Sequence, residues 1–470
     1  MWEIKKLGEI CKTSSGGTPS RKNENYYQGD IPWIKSGELN YNTIRDAEET
    51  ITEEAVNQSS AKIFPEGTLL IALYGATVGR LGFLGLDAAT NQAVCAIMPE
   101  NGLDNGFLYW YLLSIKEDLV RKSIGGAQPN ISQTILKDID IPIPPLPTQH
   151  RIVEKIEELF SELDNGMENL KKAQKQLKTY RQAVLKDAFE GKLTKEWREQ
   201  QNDLPAPEEL LQQIKAERKT HRQRELAEWE KEVKQWKKDG EPGRKPRKPS
   251  ILSKLDEESI SNTEGLPNGW FYIPFEQIGY WQGGGTPSKK NEEFWDNGTV
   301  PWVSPKDMKQ KNISETQDYI TENAVENSSA KWIKKGSILF VVRSGILRRI
   351  LPVAVAKTDL TVNQDLQAFT SVLETLPDYL YWYAFGNENA IRNSCAKDGT
   401  TVESIDSSKL KAYQVPFCSH EEQKELVNEI ESRLSVVDQL EQTIKENLQK
   451  AEALRQSILK KAFSGDLIEE

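Results

Sequence analysis

Three histidines and four cysteines in 470 residues leave little material for metal or thiol chemistry. Cys11, Cys95, Cys395 and Cys418 are scattered and form no C-x-x-C pair, which argues against a disulfide framework or a zinc knuckle. His150, His221 and His420 fall at non-equivalent positions with no Cys/His cluster nearby, so they are expected on the surface as non-ligands. No run approaches the roughly 18 apolar residues of a membrane span. The opening MWEIKKLGEI has no signal-peptide core, and a reducing cytoplasm is expected. The chain also has no G-x-x-x-x-G-K-[ST] phosphate loop and no G-x-G-x-x-G fingerprint. An Asn/Asp-Pro-Pro-aromatic loop, which would hold the amino group of a flipped adenine, is missing too: Pro144-Pro145 lies between Ile143 and Leu146. Neither a catalytic residue nor a metal ligand is therefore assigned. Positive charge is scarce as well, with 61 Lys and Arg against 71 Asp and Glu. A polyanion could be held only by a focused basic surface or with help from partners.

What the chain does have, it has twice. Trp2, Leu7 and Ile10 recur as Trp270, Phe275 and Ile278, and GGTPS recurs at 16–20 and 284–288. Tyr26-Tyr27 answers to Phe294-Trp295, Ile31-Pro32-Trp33 to Val300-Pro301-Trp302, ITEEAVNQSSAK to ITENAVENSSAK, and Asn91-Gln92 to Asn363-Gln364. The spacing drifts from 268 to 272 over a whole domain, so the halves are internal repeats.

Residues 1–147 and 266–419 are rich in short Val/Ile/Leu/aromatic runs broken by Gly, Pro and Asn, which predicts mixed α/β domains with many strands. Residues 104–122 and 377–392 read as matching amphipathic helices. A helical segment follows each domain, at 148–193 and 420–470. In the first, Ile152, Ile156, Leu159, Leu163, Gly166, Leu170, Ala173, Leu177, Tyr180 and Val184 alternate spacings of four and three. Adding 274 gives Leu426, Ile430, Arg433, Val437, Leu440, Ile444, Asn447, Ala451, Leu454 and Ile458. A sustained 3.5-residue period marks a coiled-coil seam, and two stripes in one chain most simply bury each other. Gly191 and Gly465 sit at the matching helix ends. The fold class expected is α/β (α+β): two repeated domains separated by two long antiparallel coiled-coil helices, with pseudo-twofold symmetry.

An insert at 194–265 interrupts the repeat. Residues 208–238 form a charge-dense helix pattern with Leu226, Trp229, Val233 and Trp236 on one stripe, followed by the basic, proline-rich EPGRKPRKPS. This is either a solvated helix with a linker or a docking element for a partner or DNA backbone.

With no catalytic signature, the functional residues should be binders. The turns at GGTPS offer Thr18, Ser20, Arg21 and Lys22 in one half and Thr286, Ser288, Lys289 and Lys290 in the other. Their glycines would let backbone approach a rigid surface closely. The turn after Leu69–Leu73 differs between the halves. YGATVGR offers Thr77 and Arg80, and RSGILRR offers Arg343, Ser344, Arg348 and Arg349. Lys35 and Lys306 follow the two I/V-P-W strands. Any of these could equally be an ordinary surface charge. The acidic pairs Glu48-Glu49 and Glu53-Glu54 lie in polar stretches and are expected to be solvated.

The string of GGTPS, aromatic pair, I/V-P-W, GATVG turn, ATNQA and then LKDIDIPIPPLPTQHRIVEKIEEL resembles the specificity subunits of type I restriction-modification enzymes, across essentially the whole chain and twice over. The second copy departs at YQVPFCSHEEQKELV and at the GAT turn. The resemblance implies two target-recognition domains, each reading one half of a bipartite asymmetric site on double-stranded DNA. It implies spacer helices, with Ile156, Leu163, Leu170, Leu177, Ile430, Val437, Ile444 and Leu454 at the helix interface. The implied partners are two modification subunits (adenine methyltransferases) and the restriction (motor-endonuclease) subunits. The chain itself would carry no cofactor, with S-adenosylmethionine, ATP and Mg confined to those partners. Two rivals stand beside it: a coiled-coil adaptor of two binding modules without DNA, and the specificity part of a fused methyltransferase-nuclease. The Trp-x4-Leu-x2-Ile element at the start, repeated at Trp270, argues for a complete chain.

Overall fold

A computed structural model describes residues 2–100, 102–122, 130–241, 245–249, 251–255, 263, 265–397 and 402–468. The chain divides into two compact units, Met1–Ala173 with Gln442–Glu470, and Gln174–Glu441.

Both units carry the same sheets in the same order. In the first, a five-stranded sheet runs Cys11–Ser15, Val94–Pro99, Leu69–Ala72, Leu81–Leu84, Thr43–Ile44. Its counterpart in the second runs Gly279–Gly283, Leu366–Ser371, Ile338–Val341, Val353–Ala356, Asn312–Ile313. A four-stranded sheet follows suit: Thr50–Ile51, Tyr27–Ile34, Ala88–Thr90, Ile63–Phe64 in one unit and Asp318–Ile320, Val300–Val303, Leu360–Val362, Trp332–Ile333 in the other. Each five-stranded sheet has a wholly buried central strand, LLIA or ILFV, an apolar run with no polar face because both sides are covered. A two-stranded ribbon closes each unit, pairing Glu3–Lys6 with Asp140–Ile143 and Phe271–Pro274 with Gln414–Phe417.

The predicted helices at 104–122 and 377–392 are each broken in two, at Ile115 and at Asn387. The first part of each, Asn105–Ser114 and Pro377–Gly386, is not amphipathic, whereas the second part keeps one buried face, at Leu119 or Ile391. Tyr379 through Ala384 are all buried, because this helix lies inside the domain core rather than on its surface.

Two long helices, Leu146–Phe189 and His420–Ser464, leave these ribbons. At 1.5 Å per residue the first spans about 66 Å, longer than its heptad stripe alone suggests. Their starts are fixed by repeat-equivalent glutamines. Gln149, fully buried, accepts from Asp104 N (2.7 Å) and donates to Gly102 O and Pro144 O (both 2.9 Å). Gln423 donates to Cys418 O at 2.9 Å. Gly191 and Gly465 adopt φ of 70° and 90°, the left-handed conformation that ends a helix.

The unit boundaries cut through both helices because their ends belong to domain cores. In the first unit Ile152, Ile156 and Phe160 share a core with Ile458, Leu459 and Ala462. In the second, Leu426, Ile430 and Leu434 share one with Val184, Leu185 and Ala188, the same positions shifted by 274. Within each unit the two helices run antiparallel, and each crossing carries an equivalent ion pair, Asp164–Arg455 and Asp438–Arg181. The seam is less buried than a sealed coiled coil. Ile156, Ile430, Val437 and Ile444 are buried, whereas Leu163, Leu170 and Leu177 are half-covered and Leu454 is 47% exposed. Two helices bury only the facing side of each stripe, so the flanking positions stay open. Ile156→Ala and Ile430→Ala are therefore expected to lower unfolding free energy by about 2–5 kcal/mol in denaturant titrations. For Leu454→Ala the expected loss is only about 0.5 kcal/mol.

All four cysteines are buried and unpaired, and burial pushes the Cys11 thiol up to about 12. The histidine expectation fails in two places. His150 is exposed, but His221 is half-buried beside Tyr280, and His420 has its Nδ1 buried without a hydrogen-bond partner. No group of metal-holding residues occurs among the described residues.

The insert is neither a free helix nor a loose linker. Pro207–Lys238 is one helix whose Leu210 and Ile214 enter the core of the second unit. The proline-rich segment folds back along it: Trp229 Nε1 donates to Pro246 O (3.0 Å) and Arg222 to Pro249 O (2.9 Å). Arg218 donates to Ser253 O and, at 3.0 Å, to Gln277 O, tying the helix to the domain. Seven helical residues are thus matched by three strap residues, the ratio expected when an extended polyproline-like chain runs beside a helix. Residues 242–244 and 250 of that basic stretch lie outside the described residues.

Candidate nucleic-acid interface

In each unit the predicted turns meet at one end of the sheets. Gly17 N donates to Thr90 O (2.9 Å) and Thr18 to the Gln92 side chain, so the GGTPS turn rests on the Asn91-Gln92 turn. Asn91 N donates to Ile34 O, bringing Lys35 alongside, and Leu73 N donates to Ala93 O, bringing in the 73–80 turn. The second unit repeats this. Gly285 N donates to Val362 O, Thr286 to Gln364, Asn363 N to Val303 O, and Val342 N and Arg343 N to Asp365 O. Two rows of turns result, each built on the Asn-Gln pair that recurs in both halves of the sequence.

The glycines serve a different purpose from the one expected. A Cβ on Gly16 would lie 2.0 Å from Thr90 O, and one on Gly284 only 1.7 Å from Val362 O. The surface they approach is the protein's own sheet. Trp33 and Trp302 lock the same turns by donating from Nε1 to Gly17 O and Gly285 O, both at 3.0 Å. Pro19 and Pro287 are buried, while Thr18, Ser20, Lys22, Ser288, Lys289 and Lys290 are exposed and Thr286 is half-buried.

Charge differs between the two rows. In the first, Arg21 is bonded to Glu49 at 2.6 Å and stacks 4.4 Å over Tyr27 and 5.2 Å from Trp33. Lys35 bridges Glu48 (2.7 Å) and Glu49 (3.1 Å). The bond to Glu49 raises the Arg21 pKa, the bond to Glu48 raises that of Lys35, and the Arg21 guanidinium holds the Glu49 carboxyl below its usual range. Glu48-Glu49 is thus no idle solvated pair. It orients two cations, while Glu53 and Glu54 are exposed in the first turn of Glu53–Asn57, where acidic groups suit the helix dipole. Thr77 and Arg80 are half-buried in a turn whose Gly75 and Gly79 have φ of 84° and 75°.

In the second row Arg343, Arg348 and Arg349 are exposed around a short 3-10 turn, Gly345–Arg348, and Ser344 caps it by accepting from Ile346 N. Arg348 Nε is held by Glu403 at 2.8 Å, which raises the arginine's pKa and lowers the glutamate's. Among the described residues Arg343, Arg349, Lys289, Lys290 and Lys306 form no ion pair, and Lys306 is exposed beside the Asn363 turn. Sequence reasoning missed the carboxylates. Glu49 pairs across from Trp33, as Asp318 does from Trp302, so an acid opposite each tryptophan was visible in the repeat.

No helix among the described residues is long and apolar enough to cross a membrane. Residues 1–176 and 267–450 match the family model for the type I restriction modification DNA specificity domain. The EcoR124I/EcoR124II specificity subunit of Escherichia coli is 42% identical over 180 residues, covering 38% of this chain and 44% of the relative. The MjaIX specificity subunit of Methanocaldococcus jannaschii is 28% identical over 72% of this chain, so the match spans less than two thirds, 65%, of that relative also. The EcoDI specificity subunit of Escherichia coli is 24% identical over 99% of this chain and 88% of its own length. Among solved structures, the HsdS subunit from Thermoanaerobacter tengcongensis shares the fold, with a TM-score of 0.58 at 19% identity over 99% of this chain and 97% of the other. A chain from a structural study of the type I R-M system's assembly and conformational transition superposes with a TM-score of 0.66 at 18% identity, over 99% and 98%. With the family model matched by both repeats, the chain belongs to the family of type I restriction-modification DNA specificity subunits.

Proposed function

We propose that the protein is a non-catalytic reader of double-stranded DNA in which each domain contacts one half of a bipartite, asymmetric site. The supporting observation is one scaffold built twice with different tips. The Asn-Gln turn, the tryptophan lock and the glycine contacts are common to both rows, whereas YGATVGR and RSGILRR are not. A scaffold that must hold shape while its polar tips change is what two different half-sites require. The long antiparallel helices act as a spacer between half-sites, since half-site separation on a duplex is set by protein geometry. Neither domain carries an excess of basic residues. Much of the phosphate attraction then comes from partners: two modification subunits that methylate adenine using S-adenosylmethionine, and restriction subunits that use ATP and Mg. The assembly works in the cytoplasm.

Purified alone and given labelled S-adenosylmethionine and DNA, the chain is expected to transfer no methyl group and to bind DNA poorly. With its modification subunits it should direct methylation to one bipartite sequence. Methyl transfer by the chain alone, or methylation whose sequence does not depend on this chain, refutes the reading.

A further inference from the structure

The insert helix carries a face that the proposed reading does not use. Arg224, Lys231, Lys234 and Lys238 are all exposed and follow one another at spacings of seven, three and four residues. At 100° per residue they fall within an arc of about 80°, one side of the helix. Ala227 is the other residue within that arc, which itself holds no carboxylate; Gln235 borders it, and Glu228 and Glu230 flank it about 40° beyond its two edges. None of the four cations makes an ion pair among the described residues.

The opposite side is the clamped one. Trp229 and Arg222 hold the strap there through Pro246 O and Pro249 O. Lys248 lies 5.7 Å over the Trp229 ring, and Leu226, Val233 and Trp236 are half-covered. The foot of the helix is anchored by Leu210 and Ile214 in the domain core and by Glu217, which accepts from Glu374 N at 2.8 Å. A strap of this kind stiffens the helix against fraying, because an isolated helix of this composition is marginal in water. Strap and anchor together hold a line of four cations, about 21 Å long, at a fixed angle on a protein whose net charge is −10. A line of four exposed cations of that length, none in an ion pair among the described residues, fits a linear array of fixed anions. Duplex DNA offers one phosphate per about 3.4 Å of each strand, so the stripe spans roughly six.

We infer that the Arg224/Lys231/Lys234/Lys238 face binds the phosphate backbone of duplex DNA, adding affinity without sequence preference. The inference rests on the DNA-reading function proposed above. Its test uses the full complex with modification subunits, comparing the wild type with a variant carrying Arg224→Gln, Lys231→Gln, Lys234→Gln and Lys238→Gln. A control variant, Glu225→Gln with Glu232→Gln, alters charges off this face. All three are measured for affinity to cognate and scrambled duplexes across a salt series. The quadruple variant is expected to bind both duplexes more weakly and to lower the slope of log K against log salt by about two to four. The cognate-to-scrambled ratio and the melting temperature should be unchanged. The control should bind at least as tightly as wild type. An unchanged slope in the variant overturns the inference, as does a loss of modification subunits from the complex, which would mean that the face meets an acidic protein surface. If the wild-type complex itself shows no preference for any site, the reading of function has failed instead.

Discussion

Replacing Arg343 or Arg349 with alanine is expected to relax sequence preference at the half-site read by the second domain and leave the other half-site untouched. Both side chains are exposed on the unshared turn and make no ion pair among the described residues, so their guanidiniums are open to an external acceptor. Arginine reads guanine through two parallel bonds to O6 and N7, and losing such a contact costs about 1–3 kcal/mol. That is a fall of roughly 5- to 150-fold in affinity for the preferred base and little for the others. Arg348 should behave differently. Its Nε is already bonded to Glu403, and Glu403 sits on a segment whose backbone accepts from Ser344 N at 3.1 Å. Arg348→Ala should therefore loosen the turn and weaken binding to all sequences. The measurement is affinity, with the modification subunits present, for duplexes altered in one half at a time. If Arg343→Ala and Arg349→Ala weaken both half-sites equally, or leave the preferred sequence unchanged, these arginines are backbone anchors and the readers lie elsewhere.

Gly284→Ala should be far more damaging than any exposed charge substitution. The added Cβ would lie 1.7 Å from Val362 O and 2.6 Å from Val362 Cγ2, inside the strand Leu360–Val362. No side-chain rotation relieves a clash with backbone, so either the GGTPS turn lifts from the sheet or the sheet opens. Lifting the turn breaks Gly285 N to Val362 O and the Trp302 bond to Gly285 O together. A backbone conflict of this kind, with two buried hydrogen bonds lost, should cost about 4 kcal/mol or more. Thermal unfolding should show the second domain destabilised by many degrees and the first little changed. Gly16→Ala, whose Cβ would meet Thr90 O at 2.0 Å, should give the converse pattern. Gly345→Ala is the comparison, because nothing lies within 4 Å of its Cβ position, and it should fold normally. A Gly284→Ala protein as stable as wild type would mean that the turn is not seated as described.

The duplication, the strand-rich domains and the two long helices were legible in the sequence because each is written in local terms. Repeated words at a steady spacing, alternating or continuous apolar runs and a four-three heptad need no knowledge of distant contacts. The divergent turns were legible for the same reason, since 73–80 and 343–349 stand out as the places where the two copies disagree, but their exposure was not: Arg343, Arg348 and Arg349 are exposed, whereas Thr77 and Arg80 are half-buried. Burial and pairing across long separations were not. Arg21 and Lys35 look like free cations until the hairpin brings Glu48 and Glu49 against them. GGTPS looks like a loop ready for a ligand until Thr90 and Val362 occupy the space beside its glycines. YLYWYAFG scans as amphipathic, but its burial depends on what covers it, and here the core covers Tyr379 through Ala384 without a break. The heptad stripe predicts which residues face inward, yet its degree of burial depends on how many helices share the seam. The sequence determined by itself that there are two similar domains, two helices and one insert, because periodicity and repetition are properties of the chain. Only the tertiary structure decided which charges are already satisfied and which remain open to a partner, because an ion pair is a matter of distance in space and is blind to distance along the chain.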